Sequence, residues 1–359
     1  MASCHRRTSP SVGVGGVNHI ILSEAKWNRG ARMVCSPWLP RILDRHCSWE
    51  YYLASVKPDY SDYLYIIQDY GCSNYNCPGR GEVMAIAIVT DSTANIPAGL
   101  IEKYDIKIVP LNIQIKDKVY REGIDISCQD YYQLLRREPV FPKTSQPSAG
   151  DFLNVFESYP GDCEILVITI SSNLSGTLQS AATAASMAQA SQRITLVDSE
   201  STTIGQGFLI ARACEMMEEG CTMDDIEVEL ERIKQNNRLF FIVDNLEYLA
   251  RGGRISQISK YIGTILQMKP ILHLHQGRIE LFDKVRTSSR AINRILGETK
   301  KDLNKIQQMA ILHVSASSEA HQLKLMVEEI FEQEIEIYEA TPVIGTHVGP
   351  GTIGLAYHM

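Results

Sequence analysis

The chain has 359 residues, of which 44% are hydrophobic, and a formal net charge of −7. It can bury the cores of two ordinary domains, but it has no basic block of the kind that follows a nucleic-acid backbone. No run approaches the roughly 18 apolar residues of a membrane span, and the first residues lack an apolar signal segment. The totals predict a globular, cytoplasmic protein that binds no nucleic acid and makes no integral membrane contact.

The composition of the chain changes near Met84. All three tryptophans precede it, and residues 1–83 show no sustained helical or strand pattern. Purine-rich DNA resembling a bacterial ribosome-binding site can encode residues 80–83, directly before the Met codon. We therefore expect residues 1–83 to be a non-native extension produced by a mis-assigned start. The alternative is a genuine disordered or partner-binding extension.

The cysteines predict neither a metal site nor disulfides. Five of the nine precede Met84, and the other four have no metal-ligand spacing. Cys72 and Cys77 are close enough to form a ligand pair, but no second pair completes a zinc site. We expect reduced thiols, no metal and no cofactor.

From Met84 onward, strand-like and helix-like segments alternate, as is typical of an α/β fold. Strands are predicted at 86–90, 106–115, 165–170, 194–197, 239–243, 271–275, 279–285, 310–314 and 335–338. Amphipathic helices are predicted at 130–137, 204–219, 224–236, 289–303 and 319–331. Ser148 and Asp151 match a capping box for a further helix through Tyr159.

These elements predict two α/β domains. The first and larger spans residues 84–243, and the second spans 244–359 and opens with a hairpin whose turn lies at 275–278. Residues 245–267 join them. A cleft between two such domains commonly holds a ligand.

Asp91 and Ser92 follow the first predicted strand, where α/β sheets usually bind ligands. Asp91 could accept a phosphoryl group. It could equally cap or turn the chain before the helix that Pro97 begins, and no second acidic motif is present to hold magnesium. We favour the structural interpretation and keep a phosphotransferase or hydrolase using Asp91 and Ser92 as the alternative.

Two clusters of hydroxyl side chains stand out, at 144–148 and 171–177. The chain contains neither the G-x-S-x-G motif of a serine nucleophile nor a Walker phosphate-binding motif. What remains is a pair of loops offering hydroxyl and backbone N–H donors. Such donors can hold an oxyanion or a carboxylate without a buried cation.

Two glycine-rich segments come later in the chain. Gly252 and Gly253 lie between arginines and are suited to a helix terminus, so the segment is either a C-cap with solvated arginines or part of a site. Residues 349–354 match G-x-G-x-x-G, but only five residues follow and no dinucleotide fold can be completed. A rigid turn facing a ligand is more plausible there, with His347 beside it.

Together these motifs resemble the DegV proteins. TDST at 90–93, KTSQPS at 143–148, SSNLSGT at 171–177, GGRIS at 252–256, KVR at 284–286 and THVGPGTIG at 346–354 occur in the order seen in that family. The resemblance covers residues 84–359 and none of 1–83. A DegV chain normally starts at the position of Met84, which favours the mis-assigned start.

The resemblance implies a DegV-like α/β fold with a long-chain fatty acid in a tunnel between the two domains. It implies a non-enzymatic binding subunit of fatty acid kinase, a monomer when free, which presents the fatty-acid carboxylate to a separate catalytic kinase subunit. The resulting acyl-phosphate enters phospholipid metabolism.

The family's motifs also imply roles for particular residues of this chain. Those matching the carboxylate-binding positions are Thr144, Ser145, Ser172, Ser175, Gly176 and Thr177. Those matching positions at the mouth of the site or on the kinase-facing surface are Arg254, Arg286 and His347. Neutral donors would leave the carboxylate oxygens free to react, whereas a bidentate arginine would engage both.

Overall fold

The computed structural model describes residues 85–137, 140–189, 192–254, 268–331 and 334–359. The strands are β1 (Ile86–Asp91), β2 (Lys107–Val109), β3 (Asn112–Ile115), β4 (Lys118–Arg121), β5 (Lys143–Ser145), β6 (Glu164–Thr169), β7 (Ile194–Asp198), β8 (Asn237–Ile242), β9 (Lys269–His275), β10 (Arg278–Val285), β11 (Gln308–His313), β12 (Glu336–Glu339) and β13 (Ile353–His358). The helices are α1 (Ala98–Tyr104), α2 (Cys128–Arg137), α3 (Ala149–Phe156), α4 (Thr177–Met187), α5 (Thr203–Glu218), α6 (Met223–Asn236), α7 (Glu247–Arg251), α8 (Ser288–Asp302), α9 (Ser317–Glu328) and α10 (Pro342–Val348). The predicted α/β class is confirmed.

Two predictions concern residues that the structure does not describe. The extension at 1–83, and residues 255–267 of the connecting segment, lie outside the described residues. Within the described ranges, each helix is too short or too polar to span a lipid bilayer.

Helices cover both faces of a four-stranded parallel sheet with the order β2-β1-β6-β7. Side chains alternate along β6, so Leu166 and Ile168 pack with α5 and α6, whereas Ile165 and Val167 pack with α3 and α4. Every residue of β6 is buried. A strand buried on both faces gives a continuous apolar run, which is why residues 165–170 stand out in the sequence.

A second, antiparallel sheet has three short strands in the order β4-β3-β5. The prediction of one strand over 106–115 was wrong, because β2 and β3 belong to different sheets and Pro110 lies between them. Proline has no N–H to donate to a strand ladder, and the chain leaves the first sheet there. In the small sheet Thr144 pairs with Ile113, and Ser145 pairs with Asn112.

The third sheet has six strands in the order β10-β9-β8-β13-β11-β12. The sequence analysis assigned β8 to the first domain, but β8 pairs with β9 and β13. The order of strands along the chain does not show which strands are neighbours in a sheet. Both neighbours of β8 come later in the sequence. Residues 237–242 therefore belong to the sheet of the second predicted domain. The division into domains at residue 243 stays a prediction.

The predicted hairpin is confirmed. His275 pairs with Arg278, which leaves Gln276 and Gly277 as a two-residue turn. Both turn residues have positive φ, 48° and 72°. A two-residue hairpin turn of this kind needs that backbone at both positions.

An apolar core lies between the small sheet and one face of the six-stranded sheet. Its buried residues come from β3, α2, β8, β9 and α10, and include Ile113, Tyr131, Phe241, Leu272 and Ile344. On the other face, α8 and α9 cover the six-stranded sheet with a separate cluster. The first of these cores adjoins the segments that carry the predicted site residues.

Candidate functional site

Thr144 and His347, two of the predicted site residues, contact each other. β5 carries Thr144, α10 carries His347, and the Thr144 Oγ1 and His347 Nε2 atoms are 2.7 Å apart. Burial, with a smaller contribution from the charge of Arg254, lowers the pKa of His347 to about 4. The imidazole is therefore neutral near pH 7, and either atom of the pair can donate the hydrogen bond.

The other nitrogen of His347 is buried. Nδ1 has no hydrogen-bond partner among the described residues. It lies against the backbone of Gly252, where a Cβ would stand only 2.2 Å from Nδ1. A side chain at position 252 would displace the imidazole, so this glycine is needed for the close approach of α7 to His347.

The segment 171–177 leaves the carboxyl end of β6 and begins α4. Ser171 is buried, and its Oγ donates to the Gly277 carbonyl at 2.8 Å, which ties the segment to the hairpin. The Ser172 N–H donates to the Asp198 carboxylate at 3.2 Å, while its side chain is exposed. The Ser175 and Thr177 hydroxyls are 2.8 Å apart.

The start of α4 is open to an anion. Its N-cap is Gly176, which makes no side-chain cap, and the first turn contains no acidic residue. Backbone N–H groups at a helix N-terminus attract negative charge. Gln146, from the other hydroxyl cluster, lies against this position: a Cβ on Gly176 would be 2.1 Å from Gln146 Oε1. The two clusters, separate in the sequence, are therefore adjacent in the fold.

A pocket of about 530 Å³ lies at this junction. It is lined by Ser172, Asn173, Leu174, Ser175, Gly176, Gly253, Arg254, Arg278 and Ile279. Two of these residues connect it to the apolar core: Ile279 belongs to that core and Leu174 packs against it. The pocket thus joins polar donors to an apolar interior.

Arg254 is half-buried in this pocket and has no carboxylate partner among the described residues. Its Nε donates to the Leu174 carbonyl at 3.0 Å, and one terminal nitrogen donates to the Gly252 carbonyl at 2.5 Å. Burial lowers the pKa of the guanidinium. By contrast, Arg251 is exposed and pairs with Glu247 one turn earlier in α7. The solvated-arginine interpretation therefore fits Arg251 and not Arg254.

Two other predicted residues lie apart from the pocket. Ser145 is exposed and follows Thr144 in β5, so its side chain points to the opposite face of that strand. Arg286 is exposed, directly after β10, and makes no hydrogen bond within the described residues. The geometry brings together Thr144, His347 and Arg254 with the 171–177 segment, but not Ser145 or Arg286.

The sequence analysis did not identify two residues that shape the pocket. Gln146 contacts the start of α4, and Arg278 Nε donates to Asn173 Oδ1 at 3.1 Å. Arg278 is the first residue of β10, directly after the hairpin turn that the sequence did reveal. Its position opposite the 171–177 segment depends on contacts between two separate sheets, whose strands are distant in the sequence.

The alternative site at Asp91 and Ser92 is occupied by structural hydrogen bonds. Asp91 is fully buried and accepts from the Thr93 N–H (3.0 Å), the Thr93 hydroxyl (2.6 Å), the Ile170 N–H (2.6 Å) and the Gln206 amide (3.2 Å). These bonds tie the end of β1 to the end of β6. Burial nevertheless raises the pKa of Asp91, because it outweighs the donors. A carboxylate with both oxygens engaged is poorly placed to attack phosphorus. Among the described residues, no cluster of three or more potential metal ligands occurs.

Comparisons with known proteins agree with this fold. The family model described as "Uncharacterised protein, DegV family" matches residues 85–359. Protein DegV of Bacillus subtilis is 36% identical over 282 residues, which cover 76% of this chain and 99% of that protein. The match excludes residues 1–83, as the sequence analysis expected.

Solved structures are similar over a comparable share of the chain. A DegV family protein from Thermus thermophilus, described as fatty acid binding, is 33% identical, with a TM-score of 0.71 over 77% of this chain and 100% of that one. The B. subtilis structure, described as a fatty acid binding protein, is 35% identical, with a TM-score of 0.70 over 77% and 99%. A stearic acid-binding protein from Eubacterium ventriosum is 28% identical, with a TM-score of 0.71 over 76% and 98%. The predicted fold is confirmed.

Proposed function

The chain belongs to the DegV family, and on that premise we propose that it binds one long-chain fatty acid and presents the carboxylate to a separate kinase subunit. The observation that carries the proposal is the pocket between the 171–177 segment and Arg254. Hydroxyl and backbone donors line it together with Arg254 and Arg278, and Leu174 and Ile279 connect it to an apolar core. Related proteins with the same fold are described as fatty acid binding.

The carboxylate lies, in this proposal, against the hydroxyls of Thr144, Ser172 and Ser175 and the open start of α4. His347 Nε2, 2.7 Å from the Thr144 hydroxyl, orients that hydroxyl. None of these groups carries a full positive charge near pH 7, because burial keeps the imidazole neutral. The bound carboxylate therefore retains its nucleophilic oxygens.

The acyl chain extends past Leu174 and Ile279 into the core between the small and six-stranded sheets, within a tunnel between the two domains. Burial of methylene groups contributes roughly 0.8 kcal/mol each, so an acyl chain of about sixteen carbons binds tightly without an ion pair. Hydrophobic burial thus supplies affinity, and the polar pocket supplies orientation.

Presentation requires a surface that the partner kinase can reach. Arg286 is exposed and uncommitted to any hydrogen bond within the described residues, which suits a docking contact. The transfer itself takes place on the kinase subunit, and this chain contributes no catalytic group. An unaided phosphotransferase using Asp91 is less consistent with the geometry, since its carboxylate is buried and engaged.

Organic extraction of the purified protein, followed by mass spectrometry, tests the binding. We expect one long-chain fatty acid per chain. A lipid-free protein that fails to take up added fatty acid would refute the proposal, and unaided hydrolysis of a phosphate ester would favour the enzyme. Absence of both lipid and activity would indicate a pure interaction module.

Presentation is tested separately, by adding lipid-loaded protein and ATP to a fatty acid kinase catalytic subunit. Acyl-phosphate should form only when both proteins are present. Binding without transfer would restrict the function to fatty-acid storage or transport.

A further inference from the structure

Glu122 is a buried carboxylate that the proposed function leaves unused. It follows β4 and is only 4% exposed. Its Oε1 accepts from the Val343 N–H at 2.6 Å, and its Oε2 accepts from the Ser92 hydroxyl. No salt-bridge partner for it occurs within the described ranges. A buried carboxylate without a cation is costly unless hydrogen bonds compensate for its lost hydration.

The first partner is the start of α10. The N-cap of that helix is Thr341, whose side chain makes no cap hydrogen bond. Glu122, more than two hundred residues earlier in the chain, supplies the missing acceptor to Val343, and its negative charge is favourable at a helix N-terminus. At about 1.5 Å per residue, His347 lies roughly 6 Å further along the same helix. Glu122 therefore holds the helix that carries His347.

The second partner, Ser92, connects Glu122 to the strands that position Thr144. Ser92 Oγ also accepts from the Leu111 N–H at 2.9 Å, and the Glu122 N–H donates to the Leu111 carbonyl at 2.9 Å. Leu111 directly precedes β3, which pairs with β5 and places Thr144 opposite Ile113. Glu122 thus connects to both sides of the Thr144–His347 hydrogen bond.

We propose that Glu122 is a positioning residue for the carboxylate site, which fixes the Thr144–His347 contact by holding α10 against the small sheet. The structural part of the proposal stands on the contacts alone. Its consequence for fatty-acid affinity rests on the proposed function.

The contacts make the positioning sensitive to pH. Burial raises the pKa of Glu122 to about 7, despite the Ser92 and Val343 hydrogen bonds, and the nearby Asp91 raises it further. Once protonated, Glu122 loses the charge that strengthens its bond to the start of α10. His347, with a pKa of about 4, does not titrate in the same range.

The titratable groups of α2 that face Glu122 stay uncharged near neutrality. Burial raises the pKa of Cys128 to about 12, with a contribution from Glu339, and raises those of Tyr131 and Tyr132. All three belong to α2. A transition near pH 7 at His347 therefore reports Glu122, with Asp91 as the remaining contributor.

The first experiment uses ligand-free protein. The imidazole nitrogens of His347 are assigned in ¹⁵N-histidine NMR spectra by comparison with His347→Ala, and their shifts are followed from about pH 5.5 to 8.5. We expect a transition near pH 7 in the wild type that Glu122→Gln abolishes. Because the wild-type titration needs no variant, it remains informative if Glu122→Gln folds poorly.

Glu164→Gln is the matched control. Glu164 is another buried carboxylate, 7% exposed, but it pairs with Arg193 far from α10. This control should keep the His347 transition. A flat wild-type titration, or a transition that persists in Glu122→Gln, would overturn the proposal.

A double-mutant cycle links the positioning to affinity. At about pH 8, where Glu122 is ionised, Glu122→Gln should weaken fatty-acid binding by about fivefold or more in the wild-type background, and by less than about twofold when His347 is already alanine. The same loss in both backgrounds would mean that Glu122 does not act through His347. If the wild type binds no fatty acid, the proposed function fails, while the NMR titration still decides the positioning.

Discussion

Replacing Glu122 by glutamine should change the pH dependence of stability. Glutamine has the shape of the protonated acid, can donate to Ser92 and can accept from the Val343 N–H. It cannot ionise. The variant therefore replaces the charge-assisted hydrogen bond to the start of α10 with a weaker neutral one, and it removes the charge that burial disfavours.

The magnitude follows from the pKa of the buried group. Its value rises from 4.5 to about 7. Because the native state binds the proton more tightly than the unfolded chain, the stabilisation is fully present below about pH 4.5 and is lost as the pH rises through about 7. At 1.36 kcal/mol per pKa unit, the wild type should lose roughly 3 kcal/mol relative to Glu122→Gln across that range.

Urea unfolding of both proteins at about pH 5 and pH 8 measures this difference, provided that their m-values agree. The wild type and the variant should be similar at the lower pH, and the variant should be the more stable at the higher. Glu164→Gln removes a buried carboxylate that has an arginine partner and should not gain stability at high pH. If the difference in unfolding free energy between wild type and variant is the same at both pH values, the reasoning is refuted. Glu122 would then have the same pKa in the folded and unfolded states.

The remaining predictions concern the pocket. Thr144→Val removes the hydroxyl that contacts the imidazole and should weaken fatty-acid binding by about 1–3 kcal/mol in calorimetry, whereas Ser145→Ala, on the opposite face of β5, should change it by less than about 0.5 kcal/mol. Ser172→Ala should weaken binding by about 1–3 kcal/mol without altering the circular dichroism spectrum. If the variant binds as tightly as the wild type, the carboxylate does not contact Ser172. Arg286→Ala should retain bound lipid but lower acyl-phosphate formation by the kinase about tenfold, equivalent to about 1.4 kcal/mol. Arg254→Ala should lower both together, because this arginine holds the pocket's backbone; loss of transfer alone would contradict that role.

Local sequence patterns were sufficient to predict the elements whose conformation is determined by residues close together in the chain. The apolar run of β6, the Gln276–Gly277 turn and the capping box at Ser148 and Asp151 are all present as the sequence indicated. In each of them, the residues that determine the conformation are neighbours in the chain. The same holds for the polar ends of β1 and β6, which mark the edge of the sheet where the pocket lies.

Contacts between distant segments could not be found in this way. β8 pairs with two later strands, and nothing within residues 237–242 specifies their edges. The approach of Gln146 to Gly176 and that of Glu122 to Val343 depend on how the sheets pack together. No local pattern marks Glu122 in the sequence, because its burial is created by α10.

Burial acts in opposite directions at the two ends of α10, and the site depends on both. At one end it lowers the pKa of His347, so stability is greatest above the ordinary histidine value of 6.5 and falls as the pH drops through about 4. At the other end it raises the pKa of Glu122, so ionisation there costs stability above about 7. Near neutral pH the imidazole is uncharged, while the carboxylate that holds its helix is partly ionised. The protein thus loses some stability to the charged group that anchors α10, while the imidazole beside Thr144 stays neutral. In the proposed function, the hydroxyls beside this imidazole orient the fatty-acid carboxylate through neutral hydrogen bonds, which leaves its oxygens reactive toward a phosphoryl group.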